Sequence, residues 1–104
     1  MSDDVFLALA NPTRRRLLEL LADGPRTAGD LAEQFDLSRP AVAEHLQLLR
    51  RAALVRDEAV GRRRLYHLES EPLEQVADWL HPFERFWRAR LRDMADLLEN
   101  EDPT

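Results

Sequence analysis

Cysteine is absent from this 104-residue chain, which rules out disulfides, thiolate metal ligands and cysteine nucleophiles together. Lysine is absent as well: all fifteen basic residues are arginine. Arginine suits bidentate contact with phosphate and guanine, but a GC-rich genome produces the same bias, so the missing lysine says nothing about function. Apolar runs are only a few residues long, and the start, with Ser2, Asp3 and Asp4, has neither a basic segment nor a long apolar one behind it. A soluble, cytoplasmic protein with no membrane partner is expected. There is no glycine-rich phosphate loop, no G-x-S-x-G and no cluster of metal-ligand residues, and the carboxylates are scattered over helix faces, so the chain is not expected to be an enzyme.

What is present is unevenly distributed. The formal net charge is −5. Residues 39–67 nevertheless carry seven arginines against three acids, whereas residues 71–104 carry four arginines against nine acids. A basic middle precedes an acidic tail, and a DNA-binding face needs only a locally positive field. The length suits one domain, and a chain this short buries only about 60 to 70% of its unfolded surface. Much of its apolar content is concentrated in one C-terminal segment, which points to a dimer.

Periodicity gives the elements. Residues 3–10 read as a short helix ended by Asn11-Pro12. A second helix, capped by Thr13, buries Leu17, Leu18, Leu20 and Leu21 and stops at Gly24-Pro25. Thr27 with Asp30 three residues later forms a capping box for a third helix, with Ala28, Leu31, Ala32 and Phe35 inward up to Asp36-Leu37. Ser38 caps a fourth, in which Pro40 is tolerated in the first turn and Val42, Leu46, Leu49 and Ala53 form the inward stripe. Residues 54–68 read as a hairpin turning at Val60-Gly61 and resting on the helices through Val55, Tyr66 and Leu68. From Pro72 onward Leu73, Val76, Leu80, Phe83, Trp87, Leu91, Met94 and Leu98 keep one helical phase. A single helix over 71–100, kinked at Pro82, is expected. The fold class is therefore mainly α with a small β-hairpin wing, in the order α-α-α-α-β-β-α. It is a single winged helix-turn-helix domain over 1–104, with the helix-turn-helix at 27–53, the wing at 54–68 and a dimerisation helix at 71–100.

Local residues carry a family likeness. Asn11-Pro12-Thr13-Arg14 ahead of the second helix, Ser38-Arg39-Pro40-Ala41-Val42-Ala43-Glu44-His45-Leu46-Gln47-Leu48-Leu49 across the fourth, and Gly61-Arg62-Arg63-Arg64-Leu65-Tyr66-His67-Leu68 in the hairpin resemble the ArsR family of transcriptional regulators. The resemblance implies a homodimeric repressor bound to double-stranded promoter DNA, with the first and last helices paired across a two-fold axis. With Val42, Leu46 and Leu49 buried, Arg39, Pro40, Ala41, Glu44, His45 and Gln47 are left to meet base edges in a major groove. Thr27 and Ser38 at helix N-termini, and Arg62, Arg63 and Arg64 on the wing, are the phosphate candidates. Arg14, Arg15 and Arg16 oppose the dipole of the second helix, which suggests a phosphate contact for one of them. Phe6, Phe83, Phe86, Trp87, Leu91, Met94 and Leu98 are the interface candidates.

Family members that sense thiophilic metals use cysteines, which this chain lacks. Others resemble it only through His81-Pro82-Phe83-Glu84, an H-x-x-E pair, with Leu68 and Ser70 where a D-x-H pair should stand. No metal and no cofactor is therefore expected. The competing readings are a winged-helix interaction module without DNA affinity and, less favoured, a metal-responsive repressor.

Overall fold

The computed structural model describes residues 3–100; Ser2 and the last two acids, Glu101 and Asp102, lie outside them. The elements are α1 (Asp4–Leu9), α2 (Pro12–Ala22), α3 (Ala28–Glu33), α4 (Arg39–Arg51), β1 (Val55–Val60), β2 (Arg63–Leu68), α5 (Leu73–Leu80), a 3-10 turn (His81–Phe83) and α6 (Arg85–Asn100). The order is that of a winged helix-turn-helix.

The core is one leucine-rich cluster. Leu17, Leu18, Leu20 and Leu21 of α2 meet Val5 and Ala8 of α1, Leu31 of α3, and Val42, Leu46 and Leu49 of α4. The cap of α2 differs from expectation. Asn11, not Thr13, accepts the amide of Arg14 at 3.0 Å, because the residue before a proline is held extended, as a cap must be, and Pro12 has no first-turn donor to lose. α3 is also shorter than expected. The amides of Gln34 and Phe35 bond three residues back, to Leu31 and Ala32, which tightens the exit while Phe35 still packs on the core.

α4 closes at Arg51, two residues before the end of its expected stripe at Ala53. Leu54 N–H donates to Leu49 O at 2.9 Å and Ala53 N–H to Arg50 O at 2.9 Å, with Ala53 at φ +60°. That is a Schellman motif. It swings Ala53 into solvent and puts Ala52 and Leu54 in the core instead.

The hairpin is antiparallel, registered from Val55 opposite Leu68 to Val60 opposite Arg63. Arg26, between α2 and α3, exchanges two backbone bonds with Tyr66, of 2.8 and 3.2 Å. This bridge, with Val55, Tyr66 and Leu68 on the core, fixes the hairpin root. A two-stranded ribbon needs such support.

The C-terminal segment is two helices rather than one kinked helix. Pro82 lacks the N–H that would continue the ladder, Glu84 N–H closes a tight turn on His81 O at 3.2 Å, and α6 starts anew. No residue of α6 through Glu99 is buried. The radius of gyration is 17.9 Å, where a compact domain of this length has roughly 13 Å. Among the described residues no helix is long and apolar enough to cross a membrane.

Candidate nucleic-acid interface

The anchored face of α4 determines the free one. Val42, Leu46 and Leu49 are fully buried, so Arg39, Pro40, Glu44 and Gln47 stand exposed while Ala41 and His45 are half-buried. Ser38 Oγ accepts from Ala41 N–H at 3.3 Å. In α3, Thr27 Oγ1 accepts from Asp30 N–H at 3.1 Å and Asp30 returns the bond to Thr27 N–H at 3.3 Å. Both hydroxyls cap their helices as expected, and each still has its own proton to donate. Arg39 extends back over α3, its guanidinium lying across Gly29. His45 Nδ1 lies 3.5 Å from an Arg14 guanidinium nitrogen, so this imidazole is turned toward α2 rather than standing clear. Arg39, Glu44 and Gln47 can donate to guanine, accept from cytosine and pair with adenine respectively.

The wing tip is a two-residue turn, Gly61 and Arg62, with Gly61 at φ +62°, a conformation glycine adopts without steric cost. The three tip arginines are not equivalent. Arg62 is exposed and has no acidic partner among the described residues. Arg63 approaches Asp30 Oδ2 at 3.7 Å. Arg64 donates to Asp57 Oδ2, and Asp57 Oδ1 lies 3.4 Å from Nε of Arg50 in α4. The Arg64 bond holds the Asp57 carboxyl below the usual carboxylate range, and the capping bonds with Thr27 do the same for Asp30. Both acids are charged at neutral pH. On the opposite face of the hairpin Arg56 pairs with Glu69 at 2.6 Å and Glu58 at 3.5 Å.

This arrangement of helix-turn-helix and wing recurs in known proteins. Residues 9–58 match a family described as a helix-turn-helix domain. The chain is 41% identical over 99 residues to the HTH-type transcriptional regulator Rv2034 of Mycobacterium tuberculosis, covering 95% of this chain and 90% of that protein. It is 38% identical over 81 residues to the transcriptional repressor SdpR of Bacillus subtilis, covering 78% and 90%. A crystal structure of an ArsR family transcriptional regulator superposes with a TM-score of 0.72 at 36% identity, covering 83% of this chain and 94% of the other. The chain belongs to the ArsR family. It is a DNA-binding transcriptional regulator.

The remaining ArsR-like features fall in two places. Arg14, Arg15 and Arg16 are engaged within the protein, Arg14 reaching the edge of the α4 face only at His45. Arg14 donates to Ala8 O at 2.8 Å and Leu7 O at 3.0 Å, Arg15 to Leu9 O at 2.7 Å, and Arg16 pairs with Glu19 at 3.0 Å. The first two neutralise the carbonyl end of α1, where positive charge is favourable. Phe6 meets Trp79 edge-on at 6.1 Å, and Trp79 meets Phe83 at 5.1 Å. Beyond them Phe86, Trp87, Leu91, Met94 and Leu98 lie exposed along α6, Leu91 at 58% and Leu98 at 71%. Trp79 and Leu97, both exposed, extend this surface and escape the eight-residue stripe. At the family's metal position, His81 Nδ1 is 3.7 Å from Glu84 Oε2, which already takes Arg88 at 2.6 Å, and the His81 side chain is 81% exposed. Two residues, one of them salt-bridged, do not make a tetrahedral zinc site, and no group of three candidate ligands exists among the described residues.

Proposed function

We propose that this ArsR family member is a cytoplasmic homodimeric repressor that occludes a promoter, needing no cofactor for DNA binding. The observation that carries the reading is the open α4 face, Arg39, Pro40, Ala41, Glu44 and Gln47, held by a buried stripe and flanked by the arginine-rich wing. On this reading α4 enters a major groove. Ser38, Thr27 and the wing arginines meet phosphates, with Arg62 the most available. His45 acts from the edge of the face. The exposed α6 stripe, with Phe6, Trp79 and Phe83, pairs with a second copy and sets two α4 helices about 34–36 Å apart, one turn of DNA.

Fluorescence anisotropy with random duplex DNA and with the gene's own upstream region, titrated with salt, tests this directly. Affinity should fall steeply with salt and favour the upstream duplex. Changing Arg62, Arg63 and Arg64 to Ala should weaken binding and make the log-log salt slope shallower by about one per lost phosphate contact. Absence of binding near physiological salt, even with zinc added, would leave a winged-helix interaction module in place of a repressor.

A further inference from the structure

We propose that Asp57 is a positioning residue for DNA recognition: its carboxylate on β1 ties Arg50 of α4 to Arg64 of β2 and so fixes the wing relative to the recognition helix. The inference rests on the DNA-binding reading above and adds the residue that gives the wing its selectivity.

The register sets up the contact. Val55, Asp57 and Ala59 share one face of the hairpin with Leu68, Tyr66 and Arg64. The root of that face, Val55 with Tyr66 and Leu68, packs on the core, so the next side chain outward on β1 is turned toward α4. The Asp57 side chain is accordingly only 13% exposed, with Oδ1 3.4 Å from Arg50 Nε and Oδ2 bonded to Arg64. Two guanidiniums share one negative charge and keep a net positive one. Each has five N–H donors, so a carboxylate on one edge leaves donors for phosphate on the other. A guanidinium held in this way offers its donors at one place. One released from its carboxylate follows whichever phosphate is near, which strengthens binding to every duplex and distinguishes none. Asp57 therefore exchanges general affinity for discrimination. Asp30 holds Arg63 more loosely, at 3.7 Å, with the same Oδ2 that caps Thr27 N–H, so Asp57 is the principal tie.

The test uses two duplexes of equal length, one enriched from a random library by the wild-type protein and one random, each bound across a salt series. Asp57→Asn should bind the random duplex several-fold tighter, with a log-log salt slope steeper by about one. The ratio of enriched to random affinity should fall about tenfold. In a background carrying Arg50→Gln and Arg64→Gln, the same substitution should leave that ratio unchanged. Proportional weakening on both duplexes would assign Asp57 to folding alone, and persistence of the lost ratio in the double background would show that it does not act through these arginines; either overturns the inference. Failure of the wild-type protein to enrich any sequence would overturn the proposed function as well, and is distinguishable because it needs no variant.

Discussion

Gly29 lies in the first turn of α3, where a methyl group in place of its hydrogen would stand 3.2 Å from the nearest Arg39 nitrogen. Alanine is favoured over glycine in a helix by roughly 0.5–1 kcal/mol, and the neighbour here is the far end of a long, exposed side chain that can move by a few tenths of an ångström. Gly29→Ala should therefore stabilise the fold by up to about 1 kcal/mol, read as a higher urea midpoint. Because Arg39 heads the open face of α4, the same change should weaken sequence-selective DNA binding a few-fold. A lower midpoint would mean that the guanidinium cannot yield. Arg14 and Arg15 illustrate a different relation between residue and neighbour. Their charge is unfavourable for the helix that carries them and favourable for the one before it, whose last carbonyls they bind.

Among the elements, the wing is the one whose attachment depends on ionised carboxyls. Asp57 and Asp30, the acids that hold Arg64 and Arg63, both titrate below the usual carboxylate range. A carboxyl whose folded value is lowered binds fewer protons folded than unfolded, so its contribution is present above the ordinary value and is lost as pH falls through the folded one. The urea midpoint should fall on acidification below about pH 4, and Asp57→Asn together with Asp30→Asn should flatten that acid limb. An unchanged limb would show that other carboxyls cause it. These ties also mark where sequence reading ends. The α3–α4 pair, its two caps and the hairpin were legible because each rests on residues close along the chain: Thr27 with Asp30, Ser38 with Ala41, Gly61 at the turn. Asp57 counted only as dilution of a basic segment, since its partnership with Arg50 and Arg64 depends on strand register and on how the hairpin meets α4. The break at His81–Phe83 was hidden for another reason: apolar phase runs unbroken through Pro82, and phase does not report the backbone ladder. Ala53 fits the stripe by spacing, but the Schellman closure at that point decides its direction.

For the whole molecule, the helical stripe beyond Pro82 matters most. α6 has 16 residues, a rod about 24 Å long, and its apolar side chains touch almost nothing in their own chain. Leu91→Glu should leave the winged domain folded, because Leu91 is already 58% exposed, yet place a charge inside the proposed dimer contact. Sedimentation should then give the 12.1 kDa of one chain rather than twice that, and affinity for a two-half-site duplex should drop by about 100-fold or more as linked binding is lost. A dimer mass retained by Leu91→Glu with Leu98→Glu would put the interface elsewhere. The clamp of Arg14 and Arg15 on α1 has its own consequence, for the order of assembly. A six-residue helix is far below the length of about 12–15 residues at which isolated helices persist in water. Translation makes α1 before α2, but its closing carbonyls find their donors only once α2 has formed, so α1 waits as open chain and synthesis order and folding order run in opposite directions.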